Sequence, residues 1–215
     1  MKNAFIKTLK NTLSTAKLPG LLAHDSMRPK LISGSGQNLA RDFNKFHQAS
    51  VLIVLYPEHN TLFFPLIERT ADGGIHSGQI ALPGGKINPG ENSIECALRE
   101  TTEELGIDCS HLDILGPLSA TPITPSQFMV SPMVGYLDAK PHFNPCPQEV
   151  KNFFNVSLDE LTDPKNIKTL SRMPHREALY DIPYFDFQGK MVWGATAMIL
   201  YEFLSIIKSI IRPDA

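Results

Sequence analysis

Gly84-Gly85-Lys86-Ile87-Asn88-Pro89-Gly90-Glu91, followed by Arg99-Glu100-Thr101-Thr102-Glu103-Glu104-Leu105-Gly106, decides how this chain folds. Ser93 to Leu105 has the composition of a helix, with Asn92 or Ser93 placed to cap its start and Gly106 where a left-handed stop is expected. On that helix Glu100, Glu103 and Glu104 stand at i, i+3 and i+4, so their carboxylates share one face. Like charges at that spacing repel, and the arrangement gains stability only when something positive sits among them. Divalent magnesium or manganese is the natural candidate, because hard cations take carboxylate and water oxygens and also contact substrate phosphates. Arg99, immediately before the cluster, can orient a carboxylate through a bidentate pair. Glu91, just before the helix, can pair with Arg99 and tie loop to helix. The glycines at 84, 85 and 90 let backbone approach a ligand closely. A solvated acidic helix face is the ordinary alternative for such a triplet.

Working outward, the flanking segments alternate between strand and helix signals. Ser50–Tyr56 and Thr61–Glu68 are strand-like runs joined by a hairpin turn at Pro57-Glu58-His59-Asn60. A glycine-rich stretch covers 72–90. Leu112–Leu118 and Phe128–Leu137 read as strands with a Pro-containing loop between them, and Glu149–Leu161 contains a short helix or two. Tyr180–Phe187 and Lys190–Trp193 form a second hairpin through Gln188-Gly189, and 195–210 is a closing helix. Towards the N-terminus, Phe5, Ile6, Leu9 and Leu13 recur at helical spacing, predicting an amphipathic helix over 3–14. Residues 25–49, with a Ser-Gly-Ser-Gly run, read as a loop or covering segment. The expectation is one domain over 1–215, with 1–49 as helix and cover and 50–205 as core. Strands interleaved with few helices point to a mixed sheet covered by helices.

Composition narrows the function classes. With 42% hydrophobic and 20% charged residues over 215 positions, the chain has enough apolar material for a core. A net charge of -2 provides no global positive field, which argues against nucleic acid or an anionic membrane as partner. The C-terminal apolar run Met198–Ile211 contains Glu202 and Lys208 and is short for a membrane span. Three cysteines, Cys96, Cys109 and Cys146, lack zinc-site spacing and suit reduced thiols in a cytoplasmic protein.

The whole set of residues resembles the Nudix box, G-x5-E-x7-R-E-U-x-E-E-x-G-U, in which U is a bulky aliphatic residue. Gly85, Glu91, Arg99, Glu100, Glu103, Glu104, Gly106 and Ile107 fit in register, and only Thr101 departs, at a helix-packing position. Such a match arises by chance about once in a million at ordinary residue frequencies. The resemblance implies an α/β (α+β) Nudix fold: an α/β/α sandwich around a mixed β-sheet, with the box as a loop-helix-loop. It also implies metal-assisted attack of water on the diphosphate of a nucleotide-linked small molecule. Glu100 and Glu104 would be the principal ligands of Mg2+ or Mn2+, and Glu103 a further ligand or the base.

Outside the box, the chain is similar to the coenzyme A diphosphatase branch, whose signature is L-L-T-x-R-[SA]-x3-R-x3-G-x3-F-P-G-G. Leu66, Arg69, Gly78, Pro83, Gly84 and Gly85 match it, and Trp193-Gly194-Ala195-Thr196-Ala197 looks like that branch too. Gly74 stands where the signature has its second Arg, and Pro65, Ile67, Thr70 and Leu82 also differ. The branch implies coenzyme A or acyl-coenzyme A as substrate, with 3′,5′-ADP and 4′-phosphopantetheine as products. Another nucleoside diphosphate derivative (NADH, ADP-ribose, a nucleotide sugar) is the alternative, and a non-catalytic nucleotide-binding module is a second.

Several further residues carry expectations. Arg69, Gly84, Gly85, Lys86 and His76 are candidate substrate contacts, with a surface ion pair the rival role for Arg69 and an incidental loop position for His76. Glu149 is a candidate outer carboxylate, or else a helix N-terminal Glu. Trp193 and the Phe153-Phe154 pair are expected in the core, and Cys96 as a buried neutral thiol. The chain is expected to be a monomer or homodimer.

Overall fold

Val51 to Leu55 is an unbroken apolar run, and a strand of that kind is stable only when both its faces are covered. A computed structural model, describing residues 2–33, 43–70, 78–175 and 178–211, places that run in the middle of a large sheet. In chain order the elements are α1 (Lys2–Thr15), α2 (Leu21–Ser26), β1 (Lys30–Ser33), β2 (His47–Glu58), β3 (Thr61–Arg69), β4 (Ile80–Ala81) and β5 (Gly84–Lys86). They continue with α3 (Ser93–Leu105), β6 (Asp113–Pro117), β7 (Thr121–Ile123), β8 (Phe128–Tyr136), β9 (Val150–Ser157), α4 (Leu158–Thr162), β10 (Ile167–His175), β11 (Ala178–Phe187), β12 (Lys190–Trp193) and α5 (Gly194–Ile211).

The large sheet runs β4-β3-β2-β8-β6, with β5 on β2, β7 on β8 and β9 on β3. Strands β2 and β8 pair in parallel from His47↔Phe128 to Leu55↔Tyr136, and the other pairings are antiparallel, so the sheet is mixed. A parallel pair needs a crossover, and α3 lies in it. Alternation along β2 sends Leu52, Val54 and Tyr56 to one face, where they meet Ala97, Leu105 and Ile107 of the α3 region. Ala49, Ile53 and Leu55 go to the other, against Leu9 of α1, Leu200 and Phe203 of α5, and Phe185 and Val192 of a smaller sheet. Each fully buried Leu or Ile of this kind contributes about 1.5–3 kcal/mol. The layers are therefore α3, the large sheet, and a third layer of α1, α5 and the small sheet β1-β11-β10, with β12 on β11. The expected sandwich around a mixed sheet is present, with a second sheet added to one layer.

Several elements differ from their sequence reading. Glu149–Leu161, expected to contain one or two short helices, contains one at Leu158–Thr162, capped by Ser157 and Glu160, while residues 150–157 ahead of it form β9 against β3. Val150, Phe154 and Val156 bury with the even spacing of a strand, and pairing with β3 overrides the local propensity. Pro57 and Glu58 belong to β2, which leaves His59-Asn60 as a two-residue turn with His59 at φ 49. The loop between β6 and β8 contains β7, and β10 was not anticipated. Within the expected cover 25–49 lie β1 and the start of β2; residues 34–42 are outside the described residues. The hairpin at Gln188-Gly189 is as expected, with both residues at positive φ. Trp193, expected in the core, is 38% exposed, because Val192 takes the inward position of β12. Phe154 is buried, and Phe153 is half-buried with its ring stacked on Phe143.

Helix α5 starts earlier than the apolar run and reaches 18 residues, so by length and composition alone it is long enough to cross a membrane. Half of it is buried inside the fold, and its Glu202 is fully enclosed. That carboxylate accepts from the Gly20 N–H (3.0 Å) and the Ser119 hydroxyl (2.6 Å) and lies 2.9 Å from His24 Nε2, which fastens α2 to α5.

Candidate active site

Helix α3 is cut to length by its own sequence. Asn92 accepts from the Ile94 and Glu95 N–H groups, Glu95 returns a bond to the Asn92 N–H, and Gly106 closes the helix at φ 64. Such a cap stabilises by about 1 kcal/mol. It fixes where the acidic residues fall relative to the sheet. Glu104, fully buried, faces β5 and accepts the Gly84 N–H on Oε2 at 2.8 Å. Its Oε1 accepts from Arg69 Nη1 at 3.0 Å. Glu100 lies one turn back, and its carboxylate occupies the space a Cβ on Gly85 would need, with Cδ 2.4 Å from that position.

Arg99 organises the solvent side. Its Nε and Nη2 grip both oxygens of Glu91 at 2.8 and 3.0 Å, and its Nη1 reaches Glu100 Oε1 and Glu103 Oε2, each at 2.8 Å. Nη2 also donates to the Lys86 carbonyl at 3.2 Å. The expected Glu91–Arg99 tie between loop and helix is thus present as a two-point fork. The Arg99 hydrogen bonds, helped by the Asn88 N–H, hold the Glu91 carboxyl down to about 2. The same carboxylates raise the guanidinium above its ordinary range, against the opposing effect of burial.

Three carboxylates converge. Oxygens of Glu100, Glu104 and Glu149 all lie within 4.8 Å of one another. Burial is the main cause that pushes Glu104 up to about 7; Glu100 and Glu149 add to it, while the Gly84 N–H and Arg69 oppose it. Glu100 is raised as well, by burial first, with Arg99 opposing and Glu103 and Glu149 adding. Glu100 and Glu104 are thus held together where burial disfavours their charged forms, a cost that a cation beside them would offset. Hard oxygen donors and mutual closeness fit a divalent cation.

The expected site residues are therefore partly regrouped. Glu100 and Glu104 are together, as expected. Glu103 does not join them: its carboxylate, half-exposed, is drawn to Arg99 one turn back on the helix. Glu149 takes the third place, not at a helix N-terminus but in the turn leading into β9, with its backbone N–H on the Cys146 carbonyl at 3.1 Å. Its carbonyl accepts from Thr70, so the residue after Arg69 positions it. The Gly84 N–H, an expected substrate contact, is committed to Glu104, and the missing side chain of Gly85 makes room for Glu100. Lys86 is exposed beside them. His76 and Gly74 lie outside the described residues. Cys96 is buried, and burial with Glu91 and Glu100 nearby pushes its thiol up to about 11, so it stays neutral. The Arg69–Glu104 pair, 35 residues apart in the chain, had no local sequence signal.

The arrangement is three carboxylates, two of them on a loop-helix-loop, brought together as a donor set able to hold a divalent cation. The chain belongs to the Nudix family: the NUDIX domain family matches it over residues 46–176. It is similar to Nudix hydrolase 3 of Caenorhabditis elegans, 28% identical over 88% of this chain and 80% of that one. It is also similar to Nudix hydrolase NudL of Pectobacterium atrosepticum, 35% identical over 75% of this chain and 83% of that one. Among solved structures, the Nudix hydrolase RenU from M. smegmatis matches with a TM-score of 0.50 at 16% identity, over 77% of this chain and 87% of that one, which shows the shared fold. The chain is accordingly a Nudix hydrolase, an enzyme acting on nucleoside diphosphate derivatives, in a family that uses divalent cations.

Proposed function

We propose that this enzyme cleaves the diphosphate bond of coenzyme A or acyl-coenzyme A, releasing 3′,5′-ADP and (acyl-)4′-phosphopantetheine. The observation that carries the catalytic part is the convergence of Glu100, Glu104 and Glu149 within 4.8 Å. These three hold Mg2+ or Mn2+, which when bound supplies charge neutralisation at the phosphoryl oxygens and acidifies water. Glu103, left outside the cluster and open to solvent, takes the proton of the attacking water. Arg99 orients Glu100 and Glu103 with one nitrogen and anchors to Glu91 with the other two. Arg69 and Lys86 supply positive charge for the diphosphate. The substrate assignment is supported by Leu66, Arg69, Gly78, Pro83, Gly84 and Gly85, which match the branch signature in register. Gly74 in place of the signature's second Arg favours a second reading, another nucleoside diphosphate derivative such as NADH or ADP-ribose.

The test is a panel of coenzyme A, acetyl-coenzyme A, NADH, ADP-ribose, diadenosine polyphosphates and 8-oxo-dGTP with Mg2+ or Mn2+, with products identified by mass. Highest kcat/KM on the coenzyme A compounds, with 3′,5′-ADP released, is the expected result. Preference for another member discards the coenzyme A reading and keeps the Nudix chemistry. We further propose a cytoplasmic enzyme, consistent with three free thiols and near-neutral net charge.

A further inference from the structure

Glu104 has two hydrogen-bond donors of different kinds. One, the Gly84 N–H at 2.8 Å, is fixed in the backbone. The other, Arg69 Nη1 at 3.0 Å, is at the tip of a long side chain that is 34% exposed although its partner is fully buried. The Arg69 backbone is itself locked, its N–H on the Gln79 carbonyl at 3.1 Å, so only the side chain is free to move, by rotamer change. The carboxylate it touches is also a member of the Glu100, Glu104 and Glu149 cluster. A guanidinium and a divalent cation drawn to the same carboxylate repel each other. The cation and Arg69 therefore compete for Glu104.

We propose that Arg69 is a phosphate-binding arginine withheld by Glu104 until the cation binds: metal loading displaces the guanidinium, which then turns to the substrate diphosphate. The inference rests on the reading of the carboxylate cluster as the metal site. It makes metal and diphosphate binding mutually reinforcing through one side chain, beyond any direct contact between them. In the metal-free protein the same contact gives the buried Glu104 a counter-charge, which is why the arginine sits there rather than in solvent.

The test measures binding, not turnover. Mn2+ affinity is read from the paramagnetic resonance of free Mn2+ at pH 8.5, and affinity for the non-hydrolysable α,β-methylene-ADP from calorimetry with and without Mn2+. Arg69→Gln is expected to bind Mn2+ about tenfold tighter, because no guanidinium has to be displaced from the carboxylate. It is expected to bind the analogue about tenfold more weakly with Mn2+ present and equally well without it. Unchanged or weaker Mn2+ binding, or an analogue loss of the same size with and without Mn2+, overturns the proposal. If the wild-type protein binds no Mn2+, or binds it no better than Glu104→Gln, the metal reading itself fails and the proposal with it. If Arg69→Gln does not fold, Arg69→Lys carries the test, since a compact ammonium lacks the planar fork for a diphosphate. Its analogue affinity should fall only when Mn2+ is present, and a metal-independent fall overturns the proposal.

Discussion

Replacing Gly85 with Ala separates the stability of this protein from its chemistry. A Cβ at that position would lie 2.4 Å from Glu100 Cδ, 2.4 Å from Oε1 and 2.5 Å from Oε2. Ordinary contact begins near 3.4 Å, so the carboxylate must retreat by about 1 Å. The obstructing atoms are the far end of one flexible side chain, and no backbone atom is among the three nearest, so the fold is little affected. Removing a glycine even restricts the unfolded chain, worth about 0.4–1 kcal/mol in favour of the folded state. Glu100, however, loses its place in the cluster with Glu104 and Glu149. A misplacement of about 1 Å at a reacting centre costs on the order of 100-fold in rate, close to 3 kcal/mol of barrier. Gly85→Ala should therefore unfold in urea at nearly the wild-type concentration, bind Mn2+ more weakly, and lose about 100-fold in kcat/KM on the substrate identified by the panel. Its neighbour is the control. Gly84 has φ 152, and a Cβ there would meet the Ser50 carbonyl oxygen at 2.3 Å and Val51 Cα at 2.6 Å, which are backbone atoms of β2. Gly84→Ala should destabilise by about 3 kcal/mol or more. Wild-type kcat/KM in a folded Gly85→Ala protein would refute the placement of Glu100 in the catalytic machinery.

Glu104→Gln should retain a folded protein and lose several orders of magnitude in kcat, because a neutral amide is a poor ligand for Mg2+; turnover near the wild-type level would exclude Glu104 as a metal ligand. In chelator, burial holds the Glu104 carboxyl at about 7 in the folded chain, above its ordinary value of 4.5. A raised folded value means that this stabilising contribution is complete below pH 4.5 and is lost as pH rises through 7, about 3 kcal/mol in all. Chemical denaturation from pH 4.5 to 8 should show wild type losing ground to Glu104→Gln by that order, and parallel profiles for the two proteins would contradict the assignment. Glu202→Ala should cost about 3–5 kcal/mol in urea unfolding, because it removes a buried carboxylate that serves Gly20, His24 and Ser119 together. A loss under about 1 kcal/mol would mean that water replaces it.

The local features of this protein were legible because they depend on residues close in sequence. Helix α3, its Asn92 start, its Gly106 stop and the Glu91–Arg99 tie follow from capping chemistry and spacing within 15 positions. The strand character of Val51–Leu55 followed from its unbroken apolar run, and the Gln188-Gly189 hairpin from its turn residues. The short helix expected within 149–161 is present at Leu158–Thr162, but the strand ahead of it was missed, because Val150–Ser157 is held by its ladder with β3, some 90 residues earlier in the chain, and local propensity is silent about such partners. Trp193 was misplaced for a related reason: the pleat of β12 turned Val192 inward, and composition does not reveal register.

The sequence by itself determined the family, the α3 helix with its acidic face, and the identity of Glu100 and Glu104 as the paired carboxylates. Only the tertiary structure decided which third carboxylate joins them. Pairing of β3 with β9 and the Thr70 N–H on the Glu149 carbonyl bring Glu149 to the cluster, while Arg99 draws Glu103 away. The same sheet sets Arg69 against the buried end of Glu104. Contacts at i, i+3 and i+4 are written into a helix by its geometry, whereas contacts across 35 or 45 residues exist only once strands have found their register.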